Sequence, residues 1–291
     1  MESANAGPIF QQFQAKRNNH MKQQQAPRQR PRPTYRTVQV KHVDRVTPHA
    51  LRVTFTGDEL EGFATRGPAE HIRLFFPFPG EERPVMPVWG PNGPEMPPGQ
   101  QRPVSRVYTP RRWNPTPREL EVEFVLHGDG PGSTWAEQAA PGATVVVAGP
   151  GGPYQIHPES RSFLIAGDHA ALPAIVTILD VLPAAARADV YVEVEGAAEE
   201  QALASRAQVD VTWLHGAGAD PPGRRLEAAI RSAPLPEGSG RIFVACEATI
   251  MRDIRRHLLY ERGLERGAVY THGYWKQGEV NHPDHDLGDD I

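Results

Sequence analysis

At 291 residues, 39% of them hydrophobic, the chain has material for two domains, each with a core of its own. A formal net charge of -4 supplies no overall cationic field of the kind that non-specific nucleic-acid binding draws on, so any basic site has to be local. One cysteine, Cys246, allows no internal disulfide and no multi-cysteine zinc or iron–sulfur centre, which fits a reducing cytoplasm.

Residues 1–33 are rich in Gln, Arg, Asn and Pro, with isolated large apolar residues such as Ile9, Phe10 and Phe13. That is too little apolar surface to offset chain entropy, and a disordered, solvated arm is expected. Glutamines and arginines stand where a signal peptide would have its apolar core, and no run approaches the roughly 20 apolar residues that span a bilayer. The expectation is a cytoplasmic monomer with no nucleic-acid or membrane partner.

Residues 34–158 read as short strands punctuated by Gly and Pro, at 37–45, 50–56, 71–76, 104–110, 119–127 and 143–148. Alternation is clearest where Leu120, Val122, Phe124 and Leu126 point one way and Glu119, Glu121, Glu123 and Val125 the other. Such a series predicts an antiparallel Greek-key barrel, with the Pro/Gly-rich run 77–103 as a surface excursion. On the strand at 104–110, Arg106 and Tyr108 share a face and Thr109 takes the other. Arg106 suits a pyrophosphate, Tyr108 a flat ring, and Thr109 a ring nitrogen; a surface pair over a core edge is the plainer alternative. The glycine-rich turn from His127 runs into a helix start near Ser133, where the amides of Gly132, Ser133 and Thr134 would form an anion site. An ordinary capped helix explains the same residues.

From residue 159 to 278 strands alternate with helices: strands at 163–166, 189–194, 209–214 and 242–246, helices at 170–182, 224–231 and 248–262. In the last helix Ile250, Met251, Ile254, Leu258 and Leu259 form one face, while Arg252, Arg255, Arg256 and Arg262 lie largely on the other. The alternation predicts a Rossmann-like parallel α/β nucleotide-binding domain. Its first strand ends in Ala166-Gly-Asp-His-Ala, the place where open α/β sheets bind nucleotides, although the G-x-G-x-x-G fingerprint is absent. Asp168 could equally be a plain helix cap. Glu193 and Glu195, near the end of a strand, could accept a ribose hydroxyl and would favour NADH. The tail, residues 279–291, is acidic and expected to be mobile; His282, Asp284, His285 and Asp286 then lack fixed coordination geometry, and no metal centre is expected.

Five motifs in order carry a resemblance: His-x-Arg-Leu-x-Phe-Pro at 71–77, Ser-Arg-x-Tyr-Thr at 105–109, His-Gly-Asp-Gly-Pro-Gly at 127–132, Ala-Gly-Asp-x-x-Ala-Leu-Pro-Ala-Ile at 166–175 and Gly-Tyr-Trp-Lys-x-Gly at 273–278. Together they resemble the siderophore-interacting proteins, the FAD-binding ferric-siderophore reductases of the ferredoxin-reductase-like superfamily, over residues 34–278. The resemblance implies an FAD-binding barrel followed by a nicotinamide-nucleotide module, with NADH or NADPH as electron donor and a ferric siderophore as substrate, releasing Fe(II). It implies Arg106 on the FAD phosphates, Tyr108 against the isoalloxazine, Thr109 near the nitrogen that accepts hydride, and His71 as a further FAD contact. Gly132, Ser133, Thr134 and Trp135 become the pyrophosphate turn and its helix, and Asp168, His169 and Ala170 the flank of the nicotinamide. Cys246 falls where the superfamily often has a cysteine near that ring; a small buried residue is the alternative. Arg73 and Lys276 are the implied siderophore contacts. One departure is Gly149-Pro-Gly-Gly-Pro, where the family often reads Gly-Pro-Arg-Gly. Two rival activities are a siderophore-binding flavoprotein with little turnover and a general flavin or ferredoxin-linked reductase.

Overall fold

A computed structural model describes residues 33–90, 93–128, 130–216, 222–282 and 287–288. The disordered arm expected over 1–33 lies outside them except for Pro33, and so do Asp284, His285 and Asp286 of the tail. Among the described residues no helix is long and apolar enough to cross a membrane, and no cluster of His, Cys, Asp or Glu could hold a metal ion.

Period-two alternation builds the first half of the chain. Seven strands form one sheet: β1 Tyr35–Thr47, β2 Ala50–Thr56, β3 His71–Phe76, β6 Val104–Tyr108, β7 Pro110–Asn114, β8 Glu119–Val125 and β9 Thr144–Gly151. A hairpin of β4 Val88–Gly90 and β5 Gly93–Glu95 sits in the excursion between β3 and β6. The sheet order is β6-β3-β9-β1-β2-β8-β7, with every neighbouring pair antiparallel. Its two edges, β6 and β7, are consecutive in the chain with Thr109 alone between them, so the backbone itself joins the edges and closes the barrel. The single strand expected at 104–110 is therefore two. Pro110 has no N–H to continue the ladder with β3, and the chain there changes partner to β8. Inside, Val53, Phe55, Ile72, Leu74, Leu120, Val122, Phe124, Val145 and Val147 are fully buried. Helix α1, Pro131–Gln138, plugs one end: Trp135 stacks 6.0 Å from Phe55 and tilts against Phe124 at 5.7 Å.

The second half is a five-stranded parallel sheet of β10 Ser162–Asp168, β11 Arg187–Val194, β12 Gln208–His215, β13 Arg241–Glu247 and β14 Val269–Trp275, in the order β12-β11-β10-β13-β14. Helix α2, Leu172–Val181, buries Ile175, Ile178 and Leu179 against one face. Helices α3, Arg224–Ser232, and α4, Ala248–Arg256, bury Leu226, Ile230, Ile250, Met251 and Ile254 against the other. The amphipathic helix expected over 248–262 is α-helical to Arg256 and continues as a π-turn, with Arg262 N donating to His257 O at 2.9 Å. Arg255, expected on the polar face, is buried with its Nη1 donating to Thr271 Oγ1 at 3.0 Å. The chain runs outward from β10 to β12 and then returns to β13, so the carboxyl ends of β10 and β13 flank the crevice at which such sheets bind ligands.

Candidate functional site

Strand register decides where the barrel candidates point. Arg106 pairs with Leu74 and Tyr108 with Ile72, which puts both side chains on the face of β3 that points into the barrel. Tyr108 lies against Phe124 at 4.5 Å between ring centroids, and its hydroxyl stands 2.1 Å from where a Cβ on Gly132 would be. Glycine at 132 is thus a close-approach requirement, and it brings the start of α1 onto Tyr108. That start has Pro131 in its first turn and no side-chain cap. Thr134 N already bonds Gly130 O at 2.8 Å, Ser133 Oγ accepts from His127 N at 3.2 Å, and Trp135 faces the barrel core. Of this turn, Gly132 and Ser133 stand in the first turn beside Tyr108, while Thr134 and Trp135 are engaged elsewhere. Burial pushes the Tyr108 phenol well above its usual pKa, with Arg106 acting against it. Burial also lowers the Arg106 pKa, with Arg73 adding to the effect. The cluster offers a cation, a helix start and an aromatic ring together, which fits a phosphate joined to a flat ring system.

Arg73 and His71 occupy the opposite face. Arg73 pairs with Val107, and its Nη1 reaches Ser105 Oγ at 3.4 Å. His71 pairs with Gly151, and its ring packs so closely on the turn that a Cβ on Gly152, at φ +66°, would meet it at 2.8 Å. Thr109, buried at the barrel seam, has a third environment. Burial, with Tyr270 beside it, pushes the Tyr274 phenol well above its usual pKa, and a hydrogen bond with the Thr109 side chain acts the other way.

The crevice of the parallel sheet is organised by Asp168. Its Oδ1 accepts from Ala170 N at 3.0 Å and its Oδ2 from Glu247 N at 2.9 Å and Trp275 Nε1 at 2.7 Å. Burial outweighs these donors and pushes the carboxyl up to about 6. The capping alternative therefore describes Asp168, and the Ala170 amide is engaged by it. His169 turns away toward the barrel, with Nε2 3.9 Å from Glu199 Oε2 and its pKa lowered by burial. Glu199 is buried and accepts from the Thr47 hydroxyl and from His49 Nδ1 at 2.8 Å. Lys276 pairs with Glu279, and Arg106 Nη1 donates to Asn281 Oδ1 at 2.5 Å. Tail residues 279–282 thus hold defined contacts where mobility was expected.

Two acidic candidates have other work. Glu193 accepts from Gly223 N at 2.8 Å and Leu226 N at 2.7 Å, capping α3, and Glu195 pairs with His49 Nδ1 at 2.9 Å. Glu193 is held there because a buried carboxylate at a helix start is first claimed by the backbone amides, whereas Glu195 is exposed and paired with His49. Cys246 is fully buried on the helix side of β13, and burial, then Asp168 and Glu247, push its thiol well up. Sequence reasoning missed Tyr274 as a partner of Thr109, although it lay inside the Gly-Tyr-Trp-Lys motif. It also missed Glu199 and Asn281, which carry no local signal.

Residues 39–154 match the family described as Siderophore-interacting FAD-binding domain, and residues 160–278 the one described as Siderophore-interacting protein. Ferric vibriobactin reductase ViuB of Vibrio cholerae is 33% identical over 239 residues, covering 80% of this chain and 86% of ViuB. The NADPH-dependent ferric-chelate reductase of Escherichia coli is 29% identical over 245 residues, 82% of this chain and 93% of that protein. A siderophore utilization protein from T. fusca matches in structure with a TM-score of 0.79 at 35% identity, covering 87% of this chain and 97% of that one. With that identity to ViuB over most of both chains, on the architecture described above, the chain belongs to the siderophore-interacting protein family.

Proposed function

We propose that this protein is a ferric-siderophore reductase that passes electrons from NAD(P)H through FAD to an Fe(III)-siderophore, releasing Fe(II) for iron assimilation. The observation that carries the site assignment is the packing of Gly132, at the start of α1, on Tyr108, which shares a face of the strand that closes the barrel with Arg106. Arg106 and the amides of Gly132 and Ser133 would hold the FAD phosphates and Tyr108 would support the ring system, with Thr109, braced by Tyr274, next on the strand. FAD, when bound, supplies the conversion of a two-electron donation into single-electron deliveries. Ferrous iron suits hard oxygen donors less well than ferric iron, so reduction loosens the chelate.

The chain's own task is positioning and charge. Asp168 does not act as a base in this reading, because both its oxygens accept from fixed donors. It sets the ends of β10, β13 and β14, and so the wall against which a nicotinamide would be positioned. Arg73 and Lys276 draw an anionic ferric complex to the outer edge. NADPH is accepted as donor: of the two carboxylates that would repel a 2′-phosphate, Glu193 is turned into the α3 cap and Glu195 is paired with His49. We further assign the protein to the cytoplasm, as a monomer with domain boundaries near residues 34, 158 and 278.

The test is the absorption spectrum of the purified protein, followed by NADH and NADPH added separately under argon. A flavin spectrum bleached by NADPH, with Fe(II) trapped by a ferrous-specific chelator when a ferric siderophore is supplied, is the expected result. A flavin that bleaches without Fe(II) appearing would instead identify a flavin reductase, and a colourless protein that binds no FAD would remove the assignment.

A further inference from the structure

A residue of the tail, Asn281, reaches the barrel at the Arg106 guanidinium. Arg106 Nη1 carries two hydrogens, and both have acceptors: Ser105 O at 2.8 Å and Asn281 Oδ1 at 2.5 Å, the latter 175 residues away in sequence. Among the described residues nothing accepts from Nε or Nη2. Two acceptors on one nitrogen fix the rotation of a planar guanidinium and leave its Nε–Nη2 edge as a side-on fork, the geometry in which arginine pairs with a phosphate through two bonds.

Asn281 is itself held on both sides. Before it, Glu279 N donates to Lys276 O at 3.1 Å, and the Glu279 carboxylate pairs with Lys276 and stands 3.7 Å from His282 Nδ1. After it, Leu287 O accepts from Thr271 Oγ1 at 2.6 Å, beside the last strand of the parallel sheet. Asn281 takes φ +58°, a left-handed conformation that asparagine and glycine tolerate best. Its chemistry matters as much as its place. An aspartate there would neutralise Arg106, whereas the amide oxygen orients the cation and leaves its charge for a ligand.

We infer that Asn281 is a positioning residue of the flavin site, holding the Arg106 guanidinium so that its Nε–Nη2 edge faces the FAD pyrophosphate. The C-terminal segment thereby becomes part of the cofactor site, anchored in the nucleotide-binding half and acting on the barrel. This rests on the reading of Arg106 as the FAD-phosphate ligand, and the experiment separates the two.

FAD is titrated into the full-length apoprotein and its dissociation constant read from quenching of flavin fluorescence, for wild type, Asn281→Gly, Asn281→Asp, Arg106→Ala and the Arg106→Ala/Asn281→Gly double variant. Asn281→Gly keeps the backbone conformation and removes the amide; it is expected to weaken FAD about three- to tenfold with the apoprotein melting temperature unchanged. In the Arg106→Ala background the same change is expected to have no further effect, because its action runs through that side chain. Asn281→Asp restores an acceptor but cancels charge, so it is expected to weaken FAD as well, more strongly at low salt than at high salt. Unchanged FAD affinity in Asn281→Gly, beside a weakened Arg106→Ala, overturns the inference and leaves the flavin-site reading standing. Equal weakening by Asn281→Gly in both backgrounds also overturns it, since the tail would then act on FAD independently of Arg106. Wild-type affinity in Arg106→Ala removes the flavin-site reading itself and this inference with it.

Discussion

Asp168 illustrates how much one buried side chain can determine. Its carboxyl is pushed up to about 6 in the folded chain, so between roughly pH 4 and 6 the folded state holds a proton that the unfolded state has released. Its contribution to stability is full below about pH 4, is lost as pH rises through 6, and is flat above. The difference in unfolding free energy between wild type and Asp168→Asn should therefore fall by something on the order of 3 kcal/mol from pH 4 to 7, measured by urea denaturation. A difference that rises with pH would refute the assignment. Gly132 gives a second prediction. Gly132→Ala drives a methyl into the Tyr108 hydroxyl and should cost about 1–3 kcal/mol of stability, together with FAD affinity. Adding Tyr108→Phe removes the colliding oxygen and should restore part of the stability, read from thermal melts. At this scale the sequence was legible where a residue's partners are local. Arg106 and Tyr108 share a face by strand period alone, and Asp168 as a cap was one of two open readings. The orientation of Arg106 was not legible, because it depends on Asn281 from the far end of the chain.

Elements were read well where one face is buried throughout. The alternation in β8 and the apolar stripe of α4 both follow from a side-chain period matched to a core, and Leu120, Val122, Phe124, Ile250 and Ile254 lie where that period puts them. Breaks in the pattern were harder to see. The switch of partner at Thr109 is a topological event that leaves the local strand propensity unchanged. β14, with His272 and Gly273 in the middle of Val269–Trp275, lacks the continuous apolar run of a central parallel strand because it is an edge. Arg255 was placed on the wrong face because its partner, Thr271, belongs to that unrecognised strand. Glu193 belongs here too, since its effect is on a helix. Glu193→Ala removes the acceptor for Gly223 N and Leu226 N and should destabilise the protein by about 1–3 kcal/mol, while leaving the KM for NADPH within about twofold. A large rise in that KM with unchanged stability would return Glu193 to the nucleotide site.

At the scale of the molecule specific contacts join the two halves. Glu199 receives the Thr47 hydroxyl and His49 from the β1–β2 turn, Arg111 reaches Asp180 at 3.4 Å, and Ala69 N donates to Thr177 Oγ1 at 2.9 Å. Glu199 lies about 150 residues from its barrel partners, a separation no local pattern encodes. Glu199→Ala should leave FAD affinity unchanged but slow flavin reduction by NADPH about tenfold, since the angle between the halves sets how the two rings meet; stopped-flow absorbance measures it, and an unaltered rate would make the contact purely structural. The barrel seam has a further consequence. The segment that joins the edges, β6 through Thr109 to β7, is also the one that carries Arg106 and Tyr108, so whatever binds those side chains favours the closed ring. At a free FAD concentration of about 100 times its dissociation constant the linkage is worth about 2.7 kcal/mol. Amide exchange across residues 104–114 should then slow by up to about a hundredfold when flavin is bound, measurable by mass spectrometry. In a cell short of flavin, newly made chains would open at this seam more often, and proteases that cut the open form would shorten their half-life.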